Sequence, residues 1–149
     1  MDVSYDVFIG DFLQKITEYN FLRFDEELRD KIVDGYMKHA IQQFSVVCKN
    51  VITGVDDTER IVTFNGNTDT DRDEIIDIIT EGMLVQWMKP YMYKQENLEN
   101  MLNSTDFSSY SPAELLKRVN GVYDMCKKDF TNRIRSYSYD HGDLTDLHL

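Results

Sequence analysis

No stretch of this chain approaches the ~18–20 consecutive apolar residues that a membrane-spanning helix needs, and Asp11 interrupts the N-terminal apolar patch from Val7 to Leu13. Neither a membrane segment nor a signal peptide is expected. Cysteine is scarce: Cys48 and Cys126 stand far apart, in no CxxC or Cys/His spacing, so both are expected as free thiols of a cytosolic chain. Histidine is scarce too. His39, His141 and His148 form no HxxxH or HExxH pair, so spacing offers no zinc site. Also missing are a GxSxG elbow and the GxxxxGKS/T and GxGxxG loops, which removes any sequence basis for a serine hydrolase or a phosphate cradle. There is no internal repeat and no low-complexity tract.

Positive charge is in short supply. Sixteen Lys and Arg face 27 Asp and Glu, a net charge of −11, which argues against a broad phosphate-binding face and hence against DNA binding as a primary role. The deficit is uneven: residues 111–137 hold six bases and three acids, a local +3 that leaves −14 for the rest. Glu114/Arg118, Asp124/Lys128 and Asp129/Arg133 are each acid-before-base at i, i+4, so pairing within a helix is favoured over a dedicated surface for an acidic partner. A hydrophobic share of 42% is that of a globular chain. At 149 residues, one domain can bury about 68–70% of its unfolded surface without disulfide or metal.

The firmest element is the run from Ser111 to Tyr137. Ser111-Pro112-Ala113-Glu114 supplies a cap hydroxyl, a proline at the first helical position and a reciprocal capping carboxylate. Leu116, Val119, Tyr123, Cys126, Phe130, Ile134 and Tyr137 then recur at steps of three and four, one stripe along a helix of roughly 39 Å. The other elements are expected to cover it. Tyr5 to Glu18 carries Ile9, Leu13 and Ile16 beside Phe8 and Phe12, with Ser4 as cap. Asp25 caps a second helix, in which Val33, Met37, Ala40, Ile41, Phe44 and Cys48 share a face and Gly35 costs about 1 kcal/mol against alanine. Thr70-Asp71-Arg72-Asp73 caps a third, with Ile75, Ile79, Met83 and Trp87 as its stripe, Ile76 flanking and Pro90 as its stop. Asn97 to Asn103 reads as a short helix, and 104–110 as a loop.

Residues 49–69 read as a long loop. Val51 to Val55 and Ile61 to Phe64 are β-prone, and a small hairpin of the two is the alternative. The polar Asn67-Thr68-Asp69 after the Asn65-Gly66 turn signal speaks against a hairpin closing there. Beyond Tyr137 the chain cannot continue cleanly as a helix through Gly142, yet it holds Leu144, Leu147 and Leu149, so a tail that docks on its own domain or on a neighbour is expected. The predicted fold is all-α: four to five helices over residues 1–137 as one domain, with an extended loop and a docking tail at 138–149.

Candidate chemistry is thin. Asp69 to Asp73 alternates carboxylates like a calcium loop, but the sixth and twelfth positions are Glu74 and Thr80 instead of the required Gly and Glu, so helix capping is favoured. His141 with Asp140 and Asp143 is a better helix-end turn than a metal site. Trp87, Met83 and Met88 with Tyr91-Met92-Tyr93 could line a pocket, though core or subunit interface is favoured. No catalytic, metal or cofactor-binding residue is assigned, and no enzymatic activity is expected.

Several segments carry a likeness: Asp73 to Ile79, Gly82-Met83, Trp87 to Pro90, Glu96-Asn97-Leu98 to Leu102-Asn103, Asp106-Phe107, Tyr110 to Ala113 and the ending Tyr137 to Leu144. Over roughly the C-terminal half, the chain resembles the head-tail connector (neck) proteins of tailed bacteriophages. The resemblance implies a non-enzymatic virion protein made in the bacterial host cytoplasm. It implies an adaptor that assembles as a homo-oligomeric ring between the portal protein and a further neck or tail protein, with DNA passing through without sequence-specific contact. A terminal segment and a long loop would grip the neighbours. Partner binding is carried onto Tyr137, Tyr139, Asp140, His141, Gly142, Asp143 and Leu144 by the resemblance, and onto Leu147 and Leu149 by hydrophobicity alone. A neck stopper or tail-completion protein is the nearest alternative. From another class, the alternative is a non-viral helical binding module with a groove at Trp87.

Overall fold

The computed structural model describes residues 1–16, 29–65, 69–89 and 112–141. In chain order the elements are β1 (Asp2–Ser4), α1 (Tyr5–Ile16), α2 (Arg29–Val47), β2 (Ile52–Asp56), β3 (Ile61–Phe64), α3 (Asp69–Met88) and α4 (Pro112–His141). The all-α expectation is corrected: beside the helices lies a three-stranded antiparallel sheet of order β1-β3-β2. The supposed long loop is folded as the β2–β3 hairpin. It closes between the two β-prone runs, where Asp56 Oδ1 accepts the backbone N–H of Thr58 at 2.9 Å and of Glu59 at 3.2 Å, a side-chain-made turn. A two-stranded ribbon is marginal alone. Here β1 supplies the third strand, pairing Asp2 with Thr63 and Ser4 with Ile61. A register shift between Ile52 and Gly54 bulges β2.

The helices follow their apolar spacing. Tyr5, Phe8, Ile9, Phe12 and Ile16 are buried on α1, and Val33, Met37, Ala40, Ile41 and Phe44 on α2 with Cys48 just past its end. Ser4 Oγ accepts the Asp6 N–H at 3.2 Å, the expected cap. Thr70, expected as a cap, is instead the second residue of α3. The Asp25 and Ser111 caps, the Pro90 stop and the short helix at 97–103 lie outside the described residues.

The organising helix is α3 and not α4. Ile75, Ile76, Ile78, Ile79, Thr80, Met83, Leu84, Val85, Trp87 and Met88 are all buried, so α3 is covered nearly all round, by α1, α2 and α4. Trp87 meets Phe12 edge-on at 6.3 Å and is core, one of the two favoured readings; Tyr91 to Tyr93, which the alternative groove would share, lie outside the described residues. Gly82 lets the helices close: a Cβ on it would lie 2.7 Å from the Phe130 ring and 2.8 Å from Ala40 Cβ. About two turns further along α4, Tyr137 packs on Phe44 with ring centroids 5.5 Å apart. The helix runs on to His141, four residues beyond the expected end.

Candidate functional site

Two polar assemblies and one exposed helix end are the places where this fold offers chemistry. The first assembly ties three helices. Lys15 Nζ, on α1, donates to Asp77 Oδ1 at 2.6 Å, to the Asp77 carbonyl at 3.0 Å and to Glu81 Oε1 at 3.3 Å. From α4, Arg133 Nη1 donates to the other Asp77 oxygen. The Thr80 hydroxyl donates to Asp11 Oδ2 at 2.6 Å, which turns that carboxylate toward Lys15. Burial pushes the Asp77 carboxyl up, but Lys15 and Arg133 together outweigh it and hold the group below its ordinary value. A carboxylate so held is ionised at neutral pH and poorly matched to general acid or base work. Arg133 was expected to pair with Asp129 within α4; it crosses to α3 instead.

Next to this network a cleft of about 310 Å³ runs between α3 and α4, lined by Glu74, Asp77, Asp129, Asn132, Arg133 and Ser136 with Ile78 as the apolar residue. Ligand pockets are mostly apolar with a few placed polar groups. Six of the seven side chains lining this cleft are polar or charged, and two of them, Asp77 and Arg133, are paired with each other, so it reads as a solvated seam. Among the described residues, no group of three or more His, Cys, Asp or Glu is placed to hold a metal ion. No described helix is long and apolar enough to cross a membrane. Cys48 and Cys126 are both buried, and neither is in a disulfide. Burial pushes the Cys48 thiol up to about 11, away from the thiolate a nucleophile needs.

The second assembly pins the hairpin turn to α1 and α2. Arg60 donates to both Asp34 oxygens, at 2.5 and 3.2 Å, while its guanidinium lies 5.0 Å from the Tyr5 ring centroid. Its carbonyl accepts the Tyr5 N–H at 3.0 Å. The Tyr5 hydroxyl donates to Asp57 Oδ1 at 2.7 Å, and Lys38 Nζ stands 2.7 Å from the same oxygen. Hydrogen bonds from Lys38 and then Tyr5 hold the Asp57 carboxyl low. Burial first and Asp57 second push the Tyr5 phenol well above its ordinary range.

Of the predicted partner-binding residues, Tyr137, Tyr139, Asp140 and His141 lie among the described ones. Tyr137 is core, 4% exposed, its phenol pushed up to about 12 by burial and then by the Asp71 and Glu74 carboxylates. Tyr139 is 79% exposed and Asp140 is exposed beside it. His141 is the last described residue of α4, and Gly142, Asp143, Leu144, Leu147 and Leu149 lie outside the described residues. Both polar assemblies escaped sequence reasoning because their members are far apart in the chain. Met125, 52% exposed on the outer side of α4, was signalled by being an apolar residue off the buried stripe. No protein-family model, curated protein or solved structure matches the chain.

Proposed function

We propose that this chain is a structural, non-enzymatic virion protein of a tailed phage, an adaptor that forms a ring in the neck between portal and tail. The resemblance of the C-terminal half supplies the class. The observation that carries the reading is the exposed end of α4. Tyr137 is buried in the core, and two residues later Tyr139 is 79% exposed. A 30-residue helix spans about 45 Å at 1.5 Å per residue, so α4 is a rod, and Leu144, Leu147 and Leu149 follow it in the sequence. An apolar terminal segment on a rigid support suits docking into a neighbouring protein. The polar assemblies support the same reading, since both are occupied in holding elements together.

The test is native mass spectrometry and electron microscopy of the chain with the portal protein encoded beside it. A ring bound to the portal is the expected result, and a persistent monomer without portal affinity overturns the reading. Deleting residues 140–149 is expected to leave helicity and Tm unchanged and to abolish portal binding. Loss of helicity on that deletion would show that the tail is part of the core.

A further inference from the structure

The two sides of α4 differ in kind. Val119, Tyr123, Cys126, Phe130, Ile134 and Tyr137 are buried against α2 and α3. On the opposite side, at about 100° per residue, stand Lys117, Met125, Lys128, Arg135 and Tyr139, with the acids Glu114 and Asp124 among them, all exposed. Lys117, Lys128 and Arg135 form no ion pair with a described residue. Tyr, Met and Arg are the residues by which interface cores differ from ordinary surface. The Asp124/Lys128 pair expected from sequence is not formed, and this side of α4 carries three cations to two acids, with two large apolar groups set among them.

A surface of opposite sign lies elsewhere. Around the hairpin turn, Asp6, Asp56, Asp57 and Glu59 are exposed. The cations beside them are Lys38, on Asp57, and Arg60, paired with Asp34 and 3.8 Å from Asp6. Val55 is exposed on β2, an edge strand of the sheet. This turn is pinned to α1 and α2, whereas the basic line of α4 faces away from α2 and α3, so the two surfaces cannot meet within one copy.

We infer that the outward line of α4 in one copy docks on the acidic hairpin turn of the next copy. The occupant is a second copy because the chain itself supplies both charges, +3 over residues 111–137 and −14 elsewhere. Two different patches in contact make a head-to-tail interface, which closes into a ring or runs on as a filament. The complementary signs orient copies that would otherwise repel through their shared net charge of −11. The inference rests on the ring reading and names its contact.

Sedimentation equilibrium of the full chain tests it with two charge-changed variants, K117E/K128E/R135E on α4 and T58K/E59K at the turn, the latter keeping the Asp56 cap and the Asp6–Arg60 pair. Circular dichroism checks that both retain helicity. Each variant alone is expected to self-associate about tenfold more weakly or worse, as the loss of a few partly exposed charge pairs implies. High salt should weaken the parent in the same direction. An equimolar mixture of the two variants is expected to regain association, because one retains the acidic turn and the other the basic line. A parent that stays monomeric, association indifferent to both charge changes, or failure of the mixture to recover overturns the inference. Portal binding is read separately, so an adaptor whose copies meet through other surfaces is told apart from a chain that is no adaptor.

Discussion

Gly35 and Gly82 both interrupt helices, and a methyl group added to each meets different surroundings. Nothing lies within 4 Å of a Cβ on Gly35, whereas one on Gly82 would press on Ala40 and Phe130. G35A is expected to stabilise by about 1 kcal/mol, the helix-propensity difference. G82A gains the same propensity but overpacks a junction of three helices at a cost of about 1–3 kcal/mol, so a lower Tm is expected. Thermal unfolding of the pair checks both signs. Asp77 yields a prediction in pH. Its folded-state carboxyl lies below the ordinary 3.8, so its stabilising contribution is complete above that value and is lost as pH falls through the lowered one. The side chain is 47% exposed and so screened by solvent. D77N is therefore expected to cost only about 1 kcal/mol at neutral pH. In urea unfolding the gap from the parent should close as the pH is taken below 3.8; a gap that persists there would mean the loss is one of packing.

At the scale of elements, the hairpin is the part most dependent on distant residues. Arg60 sits at φ 56°, left-handed backbone that an L side chain adopts at a cost, and it is held there by Asp34, Tyr5 and its own carbonyl bond. Two substitutions separate the backbone from the guanidinium. R60A is expected to destabilise by about 1 kcal/mol through loss of the bidentate pair. R60G loses the same pair but removes roughly 1 kcal/mol of left-handed strain, and should unfold at a higher urea concentration than R60A. The hairpin was half legible. Both β-prone runs were visible, but whether they pair depends on β1, a three-residue strand with no periodicity of its own. α4, by contrast, was readable from its stripe because six of its seven stripe residues are buried against two other helices. Its charge pairing was not, since i, i+4 acids offered local partners and only the fold shows Arg133 reaching Asp77 instead.

For the whole molecule, α3 is the hub and α4 a long rod packed on it, and the proposed assembly uses what the hub leaves exposed. Removal of residues 140–149 and reversal of the α4 charges are expected to separate portal docking from copy-to-copy contact, the first abolishing portal binding and the second weakening self-association. The chain's own residues determined the helices, their buried faces, the cap at Ser4 and the sparse chemistry. Those properties are set by contacts within a few turns, where a period of 3.6 or a hydroxyl before a helix is already a physical statement. Only the tertiary structure decided that α3 and not α4 is central, and that Gly82 is a packing contact. It also decided that Lys15, Asp77 and Arg133 meet, and that Tyr137 is core while Tyr139 is not. These depend on which surfaces meet across gaps of tens of residues, and a linear pattern of polar and apolar positions holds no record of which buried face finds which.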